Sequence, residues 1–361
     1  MILENTNKFM GYKNTYYNYI NRKKLIVVSL IFATLIMSFL SINAGAMGLS
    51  LREVIMGLMG LGDVKSIAVV KKLRLPRVIT GLLAGAGLSV AGCIMQNNLR
   101  NPLASPSTLG ISNAAAFGAN VAIILLGAGS VLNTGLGVVQ ISNPYMVTIV
   151  AFLCSIFSTF LIISLSKLKK FSSESIVLAG VALSSLFSAG TMIIQYFAKD
   201  TVQVAAVIFW TFGDLGRATW KEIWILALLL VFSLGYFIYH RWDYNAMDGG
   251  EDIAKSLGVK VEKIRLGGMF VASLITAVTV SFLGVIGFIG LVSPHIAKRI
   301  IGTDQRYLIP TSAIMGSFIL LTSDTLSRVL LSPKTLPVGA VTSFLGAPLF
   351  LYLLIKGDDK K

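Results

Sequence analysis

The chain has 361 residues, 55% of them hydrophobic and only 13% charged, with a mean hydropathy of +0.79. That is about half the charge of an ordinary soluble domain, which excludes a water-exposed globule and points to helices in lipid, where each segment satisfies its own backbone. The formal charge of +15 comes from cations in short connections between apolar blocks, a pattern of membrane orientation rather than nucleic-acid binding.

Residues 1–24 read as a cytoplasmic leader in which "YKNTYYNYINRKK" mixes tyrosines with cations, as a membrane interface does. A first span is expected near 25–42. The "INAGAM" after it offers the small residues of a cleavage site. However, the apolar run is longer than a signal core of ~7–15 residues, so it reads as a retained helix. Further spans are expected near 76–95, 110–127, 144–165, 175–198, 220–239, 266–285, 288–300 (too short to cross alone), 308–330 and 337–355. Together they make ten spans in one all-α permease domain over 25–361. Gly81, Gly85, Gly87 and Gly92 in the second span, and Gly284, Gly287 and Gly290 before the short one, permit close helix approach. The apolar stretch 199–216 reads as a partly embedded or surface helix on the outside.

Ten spans put both termini on one side. With that side cytoplasmic, the inner segments hold 20 of the 31 lysines and arginines, which sets the orientation. Six of the other eleven, Arg52, Lys65, Lys71, Lys72, Arg74 and Arg77, crowd into the stretch before the second span. This leaves an outward-facing basic patch that topology does not require.

No constellation for catalysis or metal binding appears. His240 and His295 are remote from each other, Cys93 and Cys154 lie in apolar blocks, and "GLMGLGDVKS" and "GGEDIAKS" lack the spacing of a phosphate loop. The chain is therefore read as a non-enzyme that binds no cofactor or metal. Asp324 is the clearest intramembrane acid. Arg328 follows it by one helical turn, so a structural ion pair near the outer end of span nine is expected rather than a proton relay. The largest cytoplasmic loop, 240–265, carries "DGGEDIAKSLGV". There Gly250 breaks the chain, Glu251 favours a helix start, Ala254 and Leu257 share a face, and Gly258 ends the turn. This is either a solvated connector or a knob for a partner.

"LRLPR", "AGCIMQNNLRNPLASPSTLGISNAAAFGA", "LAGVALS", "GGEDIAKSLGV", "GVIGFIGLVSPHIAKRIIG" and "LPVGAVTSFLGAPLFLYLL", in this order, resemble the permeases of type II ABC importers, the FecCD/BtuCD-like family. The resemblance runs from about residue 48 to 356. It implies ten helices with cytoplasmic termini and a homodimer in the bacterial cell membrane. It also implies two cytoplasmic ATPase subunits that hold ATP and Mg, and an extracytoplasmic substrate-binding protein. The cargo class would be iron-siderophore, haem or cobalamin.

By the same resemblance, Arg74, Arg77 and Arg328 meet acidic residues of the binding protein, which would explain the outward basic patch. Anchoring of Arg74 and Arg77 to lipid headgroups is the alternative. Gly250, Glu251, Ala254, Leu257 and Gly258 form the coupling helix seated in the ATPase, and Ser173 and Glu174 align with the cytoplasmic gate. Spans five and ten line the central pathway. The rival reading is an ion-coupled carrier that works without an ATPase.

Overall fold

Each expected span falls on a helix. The computed structural model describes residues 2–357 apart from 46, 131–139, 142, 169–172, 199 and 333. Helix α1 (Ile2–Asn43) runs unbroken through the leader and the first apolar block. Two short helices follow, α2 (Leu51–Met59) and α3 (Val64–Val69), where hydropathy showed only a connection. At the start of α2, Ser50 and Glu53 cap each other's backbone, a purely local reason for a helix to begin. A π-helical turn over Val70–Arg74 then leads directly into α4 (Leu75–Leu99).

Helix α5 (Ile111–Asn120) continues as a π-helical turn to Leu125. The two-residue strands β1 (Gly129–Ser130) and β2 (Gln140–Ile141) pair antiparallel, a small departure from an all-α chain. Next come α6 (Pro144–Leu168), α7 (Ser173–Tyr196), α8 (Thr201–Thr211) and α9 (Trp220–Tyr239). After these lie α10 (Arg241–Gly249), α11 (Glu251–Ser256), α12 (Val261–Leu283), α13 (Ile289–Ile301), α14 (Gln305–Val329) and α15 (Val338–Gly357). Among the described residues, α4 with its lead-in, α6, α7, α9, α12 and the part of α1 from Asn18 are long and apolar enough to cross a membrane.

Helix α4 is the centre of the bundle, packed against α14, α12, α13 and α9. Its small residues make that possible. A Cβ on Gly85 would lie 2.7 Å from the carbonyl carbon of Gly316 in α14, so the two backbones touch where any side chain would part them. Ser89 Oγ donates to the Ser312 carbonyl, and Ser317 Oγ to that of Leu82, both at 2.6 Å, which stitches the same pair together. Gly92 meets Gly290 of α13 in the same way, as its position in the sequence led one to expect.

The 199–216 stretch does form a surface helix. Ala206, Val207 and Trp210 of α8 are buried, and Ile208 and Phe209 stay exposed. Around the periphery, α1, α6, α7, α9 and α15 expose large apolar side chains such as Phe32, Phe157, Leu186, Leu228 and Phe344. Such a surface suits hydrocarbon and not water.

Candidate functional site

At one end of the bundle, two arginines converge on one aspartate. Asp324 of α14 is fully buried, and its two oxygens have different partners. Arg77 of α4 donates from Nε to Oδ1 at 2.9 Å, and Arg328 donates from Nε to Oδ2 at 3.0 Å. The ion pair read from the Asp324/Arg328 spacing is therefore present, with a second cation added to it.

Arg328 extends further, donating to the Ala44 and Ser41 carbonyls and, at 2.7 Å, to Ser41 Oγ. Arg74 donates to the carbonyls of Ile42 at 2.9 Å, Asn43 at 3.0 Å and Met47. Most of these acceptors are carbonyls at the C-terminal end of α1, which have no partner within their own helix and where cations are favoured. Arg74 and Arg328 are buried. The expectation for these two named an external carboxylate; within the chain both already hold internal partners. As desolvated cations they need partners inside the chain, and the end of α1 supplies them.

Arg77 is the one of the three that stays partly open, its side chain 19% exposed. Its Nη2 also reaches Oδ1 of Asp214, whose side chain is 45% exposed, at 3.2 Å. Exposed cations lie nearby in sequence at Arg52, Lys65 and Lys72.

At the opposite end, α10 is tied to the ends of both central helices. Arg100, just past α4, donates to the Met247 carbonyl, and Asn97 Nδ2 to that of Tyr244 at 3.4 Å. Asn245 accepts from the Gln305 N–H at 2.7 Å and donates to Asp304 at 3.1 Å, where α14 begins. The chain breaks at Gly250, whose φ of 140° belongs to glycine, and α11 starts at Glu251. Glu251 pairs with Lys255 at 3.0 Å and with Arg265 of α12 at 3.1 Å, and hydrogen bonds from these two cations hold its carboxyl below the ordinary carboxylate range. Gly258, at φ +82°, closes the turn by donating to the Lys255 carbonyl.

The pairing of Ala254 with Leu257 on one face is corrected. Ala254 is fully buried in the chain's own core, whereas Leu257 is 67% exposed. The outward apolar partner of Leu257 is Ile253, one turn before it and 53% exposed. The exposed edge of α11 is thus an Ile253/Leu257 pair, set by how α11 lies against α10 and α12.

Residues 33–356 match the FecCD transport family. The chain belongs to that family. A Methanocaldococcus jannaschii chain assigned as an ABC transporter permease is 51% identical over 341 residues, which cover 94% of this chain and 97% of that one. The Fe(3+)-citrate import system permease of Bacillus subtilis is 34% identical over 336 residues, covering 92% and 95%. A solved structure of a chain assigned as a metal-chelate type ABC transporter, in an inward-facing conformation, superposes with a TM-score of 0.77. It is 26% identical and covers 92% of this chain and 99% of that one.

As a FecCD-family ABC transporter permease, the chain is a multi-pass, non-catalytic subunit of the cell membrane. Such permeases work with separate ATPase subunits and with substrate-binding proteins. Of the expected gate residues, Ser173 opens α7, but the side chains of Ser173 and Glu174 lie outside the described residues. Further along α7, Ser184, Ser185 and Ser188 line an open groove of about 460 Å³ with Thr108 and Asn113. The "LAGVALSS" motif marked α7, but this hydroxyl edge went unread because serines are equally at home donating to their own helix backbone. Asp214 was missed as well, since nothing in "FGDLG" points back to Arg77 on a helix far earlier in the chain.

Proposed function

We propose that this permease moves a ferric chelate inward as a homodimer, powered by ATP and Mg bound in two partner ATPase subunits on the cytoplasmic side. The α10–α11 end then faces the cytoplasm, in agreement with the charge count, and the arginine end faces outward toward a substrate-binding protein. The observation that carries this reading is the exposed Ile253/Leu257 pair of α11. An apolar pair on a short, charged loop helix is better accounted for by a protein groove than by water. α11 packs on α10, which is tied to both central helices, so a push on α11 passes through α10 to α4 and α14 together.

Support for the dimer face comes from α7 and α15, which expose Leu186, Met192, Phe344 and Tyr352, with the hydroxyl groove of α7 beside them. A pathway built there would present hydroxyls to a polar chelate with few fixed charges to trap it. The outer docking contact is assigned to Arg77, with Arg52, Lys65 and Lys72 as its rim. A guanidinium fork that keeps one edge open suits a carboxylate that must bind and leave repeatedly. Arg74 and Arg328 act one layer below, fixing the end of α1 and the loop that follows it.

The test is uptake by proteoliposomes holding the permease, its ATPase and its binding protein, with ferric citrate, haem and a corrinoid compared as cargo. Uptake that needs ATP and binding protein and survives a protonophore supports the proposal. Uptake that proceeds without ATP and collapses with an ion gradient overturns it.

A further inference from the structure

Arg77 divides its donors between two very different acids. Asp324 is buried, and Arg328 holds its other oxygen, so that contact is closed to solvent. The Asp214 side chain is 45% exposed, meets Arg77 from a single oxygen at 3.2 Å, and sits in a loop rather than on a span. It is the more exposed of the two acids that Arg77 meets.

The loop that carries Asp214 is a joint. Its Phe212 carbonyl accepts from the Gly339 N–H at the start of α15, and the Asp214 N–H donates to the Leu283 carbonyl at the end of α12. Arg217 donates to the Phe209 and Trp210 carbonyls and so caps α8. Gly213 takes a left-handed φ of 69° against the Val285 carbonyl. The Arg77–Asp214 pair is the ionic tie between this joint and the central helix α4.

We propose that Asp214 is an internal placeholder for a carboxylate of the substrate-binding protein. Docking exchanges the Arg77–Asp214 pair for a pair between Arg77 and the partner, and the exchange removes the ionic tie between the α8/α15 joint and α4, leaving Leu215 in its apolar cluster with Ala84 and Leu88 of α4. Binding at the surface is thereby converted into freedom of the helices beside the pathway, without disturbing the buried Arg77–Asp324–Arg328 cluster. The idea rests on the reading of the arginine end as the docking face, and it goes further by naming the acid that docking displaces.

The experiment uses the assembled transporter and its binding protein, with affinity measured at low and high salt. Asp214→Asn keeps an oxygen to accept the Gly216 N–H, which now donates to Asp214 Oδ1 at 2.9 Å, but removes the competing charge. It should tighten docking by about two- to fivefold at low salt, the range set by one exposed ion pair, with the gain fading as salt rises. Amide exchange across 212–217 and at Gly339 should quicken in this variant, and also in the wild type once the binding protein is docked. Arg77→Ala should weaken docking.

If Arg77→Ala weakens docking while Asp214→Asn leaves it unchanged or weakens it, the docking face stands and the placeholder is refuted. If neither variant alters affinity, the docking face itself is refuted. Amide exchange at the joint that is unaltered by docking refutes the untying.

Discussion

The exposed edge of α11 can be tested without disturbing the fold that carries it. Ile253 and Leu257 are 53% and 67% exposed, so replacing both with Ala removes little from the permease itself. At a partner's surface the loss is larger. Covering the exposed parts of the two side chains would bury roughly 200 Å² of apolar area, about 5 kcal/mol at ~25 cal/mol per Å². Part of that gross value is offset by ordering and imperfect fit, leaving about 2–4 kcal/mol of affinity. Ile253→Ala/Leu257→Ala should therefore weaken ATPase association by about 30- to 1000-fold. The melting temperature of the isolated permease should stay within about a degree of wild type.

The assay is a titration of purified ATPase onto permease in lipid discs, with thermal unfolding of the permease alone as the control. Ala254→Trp is the contrasting variant. Ala254 is buried inside the chain, so bulk there strains the seat of α11 and should lower permease stability by about 1–3 kcal/mol or more. Unchanged ATPase affinity in the double alanine variant would refute the coupling assignment of α11.

Three other outcomes follow from the geometry. Asp324→Asn leaves Arg77 and Arg328 without their buried counter-charge and should cost about 3–5 kcal/mol, read as a fall in melting temperature and in yield of folded protein. Burial opposes ionisation of Asp304, yet hydrogen bonds from Arg306 and Asn245 overcome this and hold its carboxyl at about 2. A depressed carboxylate stabilises the fold fully above its unfolded value and loses that contribution as pH drops toward the folded one. Stability should therefore fall by about 1 kcal/mol between roughly pH 4.5 and 2, given partial solvation, and Asp304→Asn should flatten that limb of the pH–stability curve. Single cysteines at Leu186 of α7 or Phe344 of α15 should form crosslinks between two copies of the chain, read on a non-reducing gel. Crosslinks from α1 positions such as Phe32 in place of these would move the dimer face elsewhere.

Hydropathy alone located the long helices, because a lipid-facing segment must be apolar along its whole length and its ends are marked by cations. The glycines of α4 were legible for a related reason: few physical uses for so many small residues exist in a span except close approach. The Asp324–Arg328 pair needed only helical spacing. The internal partners of the arginine end depend on a third element. Whether Arg74 faces water or the end of α1 is decided by how α1 and α4 cross, and that crossing has no trace in "LRLPR". Ala254 shows the same limit. Six residues of helix fix which side chains share a stripe, but the neighbours α10 and α12 decide which stripe turns inward. The start of α2 was within reach, since Ser50 and Glu53 at the spacing of a capping box announce a helix before any packing is known.

The joining of α4 to α14 has a mechanical consequence. The two helices are clasped at one end through Asp324 and pressed backbone to backbone at Gly85 and Gly316, and α10 bridges them at the other end through Arg100, Asn97, Asn245 and Gln305. Three attachments along a length of about 35 Å make a braced frame rather than a hinge. Such a pair cannot scissor or bend without breaking one of them, so it transmits a force whole and absorbs none of it. Compliance in this permease must therefore belong to the helices that the frame leaves unbraced, and a mutation that loosens the frame would blunt the signal between the two faces while leaving both faces intact.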